Sequence, residues 1–371
     1  VSQGGGGPVP VSAPGSGPLV GTAANPAFGF SVSPGPADGV AREAAEADAL
    51  GYDRIGIWDS PALFHEPWVV LSAVASASQR IRLGTWVTNP LTRHPVVTAS
   101  AAASLDELAP DRVYIGIGTG DTGVLHLGLP AASLAQLRRY VLTLRALLAT
   151  GTAEWEGQTV RLAWARSRPQ RRIPILVAAH GPRTLRLAGE IGDGVIVGLG
   201  ITPEVIAGSL EQIEAGARNA GRRLDDLAIW FTGFWFVDPE PGRAAEQGAW
   251  AAASLASHIA RTGAADKFVP PDLQDALVQL GAAYDKSTHG DVPDDQKHAY
   301  VARARRLGVL EYARQRFTFS GTPAEVAAQV RSAVAAGARS FDGAIDAPLP
   351  AHYERITAWA RLVMHQVRSD G

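Results

Sequence analysis

The stretch FGFSVSPGPADGVAREAAEADALGYDRIGIW, residues 28–58, decides the fold. It opens on a short apolar run, FGFSV (28–32), with the composition of a buried strand. Asp38 to Leu50 then reads as a helix, with Ala41, Ala44, Ala45 and Ala49 on one stripe and Gly51 as its stop. DRIGIW (53–58) is a second short apolar run. Strand, helix and strand in succession form the unit of a parallel sheet, because parallel neighbours need a crossover connection.

Outward from this unit the alternation continues. Pro67–Ser78 reads as a helix, IRLGTWV (81–87) as a strand, Pro95–Leu108 as a helix, and RVYIGIG (112–118) as a strand. Ser133–Ala149 is a strongly periodic helix that ends before Gly151. PILVAA (174–179), GVIVG (194–198), LAIWFTGFWFV (227–237) and SFDGAI (340–345) are further strands. Pro182–Ile191, Pro203–Ala220, Thr322–Ala336 and Tyr353–Val367 are further helices. The strands are apolar on both faces, as strands covered on both sides should be. Eight such strands predict an α/β fold, a closed (β/α)8 TIM barrel rather than an open doubly wound sheet.

Two stretches fall outside that count. Residues 151–172 alternate around Gly157 like a hairpin, and residues 240–320 form a long, mainly helical insertion. The expected organisation is one barrel domain over 28–371 with insertions at about 151–172 and 240–320. Residues 1–27 are rich in Gly and Pro, carry no charge, and read as a disordered tail. They lack the basic and apolar regions of a signal peptide.

The net charge of −2 gives no reason to expect nucleic acid or an anionic membrane as partner. No apolar run is long enough to span a bilayer, so a cytoplasmic protein is expected. The absence of cysteine excludes disulfides, thiolate catalysis and thiolate-bound metal. The nine histidines are scattered without metal-ligand spacing, so no metal site is expected. No GxSxG nucleophile elbow is present.

Chemistry concentrates in GTWVTNPLTRHP (84–95), GIGTGD (116–121), AAHGPRTLRLAGEIGDGVI (178–196) and FSGTPAEV (319–326). Together, and in this order, they resemble the luciferase-like superfamily of flavin- and deazaflavin-dependent oxidoreductases. Within it they are most similar to the methylenetetrahydromethanopterin reductase-like branch. The resemblance spans about residues 28–345. It implies a cofactor site at the C-terminal ends of the barrel strands, coenzyme F420 as cofactor with FMN as the alternative, and a homodimer. The activity it implies is hydride transfer from a reduced deazaflavin to a small organic molecule. The alternatives are an FMN-dependent monooxygenase served by a flavin reductase, and a binding protein without cofactor.

Residue by residue, the resemblance places a non-prolyl cis peptide at Trp86–Val87, with Trp86 where the family has a small residue. Thr88 and Asn89 would then offer hydrogen bonds to the cofactor ring; an ordinary turn at Asn89–Pro90 is the alternative. In AAHGPRT, Gly181 allows close approach and Pro182 suits a first helical turn, whose free N–H groups make an anion site. The resemblance assigns the cofactor's phosphate-bearing tail to Ala178, Ala179, His180, Gly181, Pro182, Arg183 and Thr184. Gly198 would face that tail, and Thr119 joins the site from the fourth strand; a plain helix start is the alternative. Asp193 shapes a turn.

Asp121 corresponds to an acidic residue that many deazaflavin enzymes place near the substrate. Held protonated by burial, it would act as a general acid; a helix or turn cap is the alternative. Several relatives carry Asp-His after the second strand. Here Asp59 is kept and Ser60 stands in the histidine position, which argues against sugar-phosphate or alcohol dehydrogenase chemistry. The catalytic candidates are therefore Asp121, Asp59 and Ser60. His65 is a possible substitute or a loop residue, and His94 a cap or a ligand contact. Of Phe234, Trp235 and Phe236, most belong to the core and one could wall the pocket.

Overall fold

The computed structural model describes residues 19–167, 172–345 and 349–369. Its strands are β1 (Ala27–Val32), β2 (Arg54–Ile57), β3 (Arg82–Thr88), β4 (Val113–Ile117), β5 (Thr152–Trp155), β6 (Gln158–Arg161), β7 (Ile175–Ala179), β8 (Gly194–Val197), β9 (Ala228–Val237), β10 (Thr318–Gly321) and β11 (Ser340–Ile345). The first helices are α1 (Ala37–Ala49), α2 (Pro67–Ala77), α3 (Pro95–Leu108), α4 (Thr122–Leu125), α5 (Leu134–Thr150), α6 (Pro182–Ile191) and α7 (Pro203–Asn219). After them come α8 (Arg243–Gly248), α9 (Ala251–Ala260), α10 (Gln274–Ala282), α11 (Asp294–Arg306), α12 (Leu310–Phe317), α13 (Pro323–Ala335) and α14 (Leu349–Trp359).

Strands β1, β2, β3, β4, β7, β8, β9 and β11 pair in parallel, and β11 returns to β1 to close the ring. The eight ring strands are those read from the sequence. Strand β10 is additional: it pairs with the far part of β9 (Thr318↔Phe234), while β8 pairs with the near part (Gly194↔Ala228) and β11 with the middle (Phe341↔Phe231). At ten residues, β9 is long enough to take all of them. The short run TFSG carries one large apolar residue, too little for a periodic signal.

Alternation of side chains splits the apolar residues into two cores. Phe28, Ile55, Leu83, Ile115, Val177, Val195 and Phe341 face the helices. Tyr114, Leu176, Ile196, Trp230 and Phe234 belong to a second cluster that continues into Trp250, Leu255, Leu277 and Phe317 of the insertion. The insertion is thus packed onto the barrel interior rather than hung from its side. The β5–β6 hairpin pairs as expected, but Trp155 packs against His94 and Tyr140, on the barrel's outer wall.

Charge is buried in the barrel interior too. Arg54, fully buried, pairs with Asp342, donates to Tyr114 Oη at 2.9 Å and stacks 3.4 Å from the centroid of Trp86. Ser31 Oγ donates to the other Asp342 oxygen at 3.0 Å.

The α1 stripe differs from expectation. Its buried face includes Ala41, Ala44, Ala47 and Asp48, while Ala49 is exposed. The Asp48 carboxylate accepts from the N–H groups of Gln79, Arg80 and Ile81 at 2.7–3.0 Å, which turns that face inward. In FSGTPAEV, Thr322 and Glu325 form a capping box at the start of α13, so this part of the motif starts a helix. Of the stretch 1–27, residues 1–18 lie outside the described residues. Beyond them, Leu19 accepts from the Trp230 indole at 3.0 Å and Ala27 starts β1. No helix among the described residues is long and apolar enough to cross a membrane.

Candidate active site

A cavity of about 1010 Å³ opens at the C-terminal ends of the strands, where barrel active sites form. The barrel supplies Trp58, Asp59, Ser60, Trp86, Val87, Asn89, Thr119, Asp121, Ala178, His180, Gly181, Pro182, Arg183, Thr184 and Gly198 to its lining. Two expected residues fall outside it. Thr88 and Ala179 are fully buried in the wall, because each neighbours a residue whose side chain takes the cavity face.

The Trp86–Val87 peptide is cis. Asn89 is buried, and its Oδ1 accepts from Leu91 N–H at 2.9 Å and Thr92 N–H at 3.0 Å. The turn reading therefore describes this oxygen, and Thr88 Oγ1 has no partner.

Beyond β2, Asp59 Oδ2 accepts from Arg93 at 2.5 Å, and Arg93 also holds Glu66. Asp59 Oδ1 is buried without a partner. Ser60 Oγ lies 2.6 Å from Thr122 Oγ1, both in the cavity wall. His65 is exposed and away from the cavity. His94 is a cap, its Nδ1 accepting from Val96 N–H at 3.2 Å.

Asp121 precedes α4, and its side chain caps nothing. Lys286 and Arg261 reach Oδ1, the latter at 3.3 Å, and His258 Nδ1 lies 3.3 Å from Oδ2. Burial opposes ionisation, but His258, Lys286 and Arg261 outweigh it and hold this carboxyl well below the usual carboxylate range. The expected protonated general acid is thus corrected: Asp121 is ionised, because the insertion brings cations to it.

His180 leads into α6. Its ring stacks on His258 with centroids 4.3 Å apart, and Gly198 is its seat: a Cβ there would lie 2.2 Å from His180 Nε2. Gly198 therefore makes room for the His180 ring while its backbone still lines the cavity. The first turn of α6 has no side-chain cap, which leaves the Arg183 and Thr184 N–H groups at the cavity. Of the aromatic trio on β9, Phe234 lines the cavity while Trp235 stacks on Trp359 in the outer core.

No motif marks His258, Arg261, Lys267 and His289, which the insertion brings into the lining. The His289 ring lies flat on Trp58, 5.1 Å between centroids, with Nδ1 2.9 Å from Tyr284 Oη. Lys267 Nζ bonds the His258 and Ile259 carbonyls at 3.2 Å, ending α9, and burial pushes it down to about 8.

Burial holds His258 and His289 down to about 4, with nearby Lys286 adding to the effect and Asp121 opposing it. Between pH 6.5 and 4 the unfolded chain binds protons that the folded chain does not, so stability rises with pH across this window. The loss on acidification is at most about 3 kcal/mol for His258. Urea midpoints at pH 4.5 are expected to fall below those at pH 7.5, and His258→Gln to reduce the difference. Equal midpoints at the two pH values would contradict the assignment.

The residues present fit a flavin-type cofactor. The cavity is large, Asp59 Oδ1 and Thr232 Oγ1 are orphaned acceptors or donors in its wall, and uncapped amides sit at Gly181–Thr184. Among the described residues no group of three or more His, Asp or Glu side chains could hold a metal ion.

Comparison with known proteins agrees with this geometry. The F420-dependent glucose-6-phosphate dehydrogenase of Beutenbergia cavernae is 36% identical over 179 residues, 46% of this chain and 53% of that protein. The chain thus spans about half the length of this curated relative. The structure of the coenzyme F420 dependent tetrahydromethanopterin reductase from Methanopyrus kandleri superposes with TM-score 0.73 at 24% identity, covering 92% of this chain and 99% of that one. The oxygenating constituent of 3,6-diketocamphane monooxygenase from Pseudomonas putida, in complex with FMN, superposes with TM-score 0.62 at 15% identity, covering 92% and 98%. The luciferase-like monooxygenase family matches residues 20–340, and the chain belongs to that family.

Proposed function

We propose that this chain is an F420-dependent oxidoreductase that reduces a small organic molecule by hydride transfer. The observation that carries this reading is the cavity at the strand ends, lined by Trp86 and Val87 and edged by the uncapped start of α6. The F420-dependent relatives in both sequence and structure support the choice of cofactor.

The Arg183 and Thr184 amides, with the Arg183 side chain, would hold the anionic tail. Trp86, Val87, Thr119, Ala178, His180, Gly181 and Pro182 would surround the rest of the cofactor, and Asn89 would brace the β3 turn beside it. A bound reduced deazaflavin supplies the hydride. Asp59 Oδ1, with no partner of its own, would accept a hydrogen bond from the ligand. The Ser60–Thr122 hydroxyl pair, beside Asp59 in the cavity wall, would orient the acceptor by hydrogen bonding. Trp58, Phe234 and the insertion would exclude water.

The second reading, an FMN-dependent monooxygenase fed by a reductase, is favoured by the FMN-bound structural neighbour and by Arg183 at a phosphate site. A cytoplasmic homodimer accompanies either reading. Anaerobic mixing with reduced F420 and a panel of activated alkenes and ketones should restore the oxidised cofactor's visible absorbance. Oxygen uptake with reduced FMN, and no turnover without oxygen, would instead establish the monooxygenase.

A further inference from the structure

The ionised Asp121 is left without a catalytic use, and its partners show a different one. Every partner on it comes from the insertion: the His258 ring from α9, and two cations, Arg261 from the end of α9 and Lys286 from the segment beyond α10. That segment, Tyr284–Gly290, runs from the loop after β4 to the loop after β2. The Lys286 carbonyl faces His126 Nε2 at 3.1 Å, and the His289 ring covers Trp58. Gly290 passes Phe64 so closely that a Cβ would lie 2.4 Å from the ring, with φ +95. Its own helical content is one short turn, Lys286–Thr288. The segment has no regular ladder of its own and is tied down by separate side-chain contacts, among them Asp285 N–H to Tyr300 Oη and Thr288 Oγ1 to Gln296, so it can open locally without unfolding the barrel.

His289 is what the segment delivers. Tyr284 engages Nδ1, which leaves Nε2 as the ring edge available to an occupant of the cavity. It reaches the lining beside Trp58, next in sequence to Asp59 and Ser60.

We propose that Asp121 is a positioning residue: its one carboxylate clamps the strap Tyr284–Gly290 across the cavity, presents His289 to the occupant, and must release Lys286 for the occupant to enter or leave. The clamp rests on the cavity being a cofactor and substrate site, but strap opening can be measured without any ligand. The Lys286 and Asp121 side chains are about a quarter exposed, 24% and 23%, so salt should weaken the clamp.

The test is hydrogen exchange on the ligand-free full chain, followed by stopped-flow dissociation of F420. In Asp121→Asn and in Lys286→Met, exchange over 284–290 should quicken about tenfold, and no further in the double variant. High salt should quicken it in the unaltered protein, while α5 and α13 stay protected. F420 dissociation should quicken in parallel.

Unchanged exchange over 284–290 in Lys286→Met overturns the proposal, and that variant reads the clamp even if Asp121→Asn fails to fold. Additive effects in the double variant overturn it as well. A strap that loosens in a protein that binds no F420 leaves the clamp standing and removes the cofactor reading. F420 binding with an unresponsive strap does the reverse.

Discussion

Asp342→Asn is expected to destabilise the folded chain by about 3–5 kcal/mol, because it leaves Arg54 buried and uncompensated inside the barrel. Arg54 and Asp342 are both fully buried, and no water-exposed route relieves either. Burial pushes the Asp342 carboxyl up and Arg54 pulls it back, so the pair survives only together. Asparagine keeps an acceptor for Ser31 and loses the charge that faces the guanidinium. The effect reaches the site as well. Arg54 stacks between Trp86 and Trp230, 3.4 and 4.4 Å from their centroids, and a shifted guanidinium moves the Trp86 ring that lines the cavity. Urea unfolding checks the loss, and a loss below about 1 kcal/mol would mean the pair is hydrated or dispensable. The double replacement Arg54→Met with Asp342→Leu should recover most of the stability, since apolar side chains of similar volume remove both charges at once.

Gly198→Ala is the second large effect, and it falls on the site. The new Cβ would lie 2.2 Å from Nε2 and 2.6 Å from Cδ2 of His180, so the ring must leave its seat. That ring is fixed by its stack on His258, and overpacking of this kind costs about 1–3 kcal/mol. Cofactor affinity should fall about tenfold, because His180 leads directly into the Gly181–Thr184 anion site. Gly181→Ala is the control. Its Cβ meets only Lys267 Cε at 3.7 Å on extended backbone, so stability should change by less than about 1 kcal/mol. Thermal unfolding and cofactor titration of the two variants check this. A Gly198→Ala protein as stable and as tight-binding as the parent would contradict the seat.

How far the sequence carried these conclusions depended on distance along the chain. The ring strands were legible because each is a short run that buries both faces. Strand β10 was not, since Thr318–Gly321 gains its apolar setting only from the far part of β9. Asp59, Ser60, Ala178 and His180–Thr184 line the cavity because strand ends are local in sequence. Thr88 and Ala179 do not, because one position along a strand reverses the face.

The position of Asp121 was legible and its charge state was not. Arg261 and Lys286 stand 140 and 165 residues further along, in an insertion whose composition carries no motif. Gly198 shows the same limit from the other side. Its identity suggested a position facing the cavity, and only the fold reveals that the missing side chain also seats His180.

Paired equilibrium titrations decide whether the strand-end cavity is an F420 site. The purified chain, followed by fluorescence, should bind oxidised F420 more tightly than FMN, with Gly198→Ala weakening the F420 isotherm. Tighter binding of FMN, or no binding of F420 at all, would contradict it.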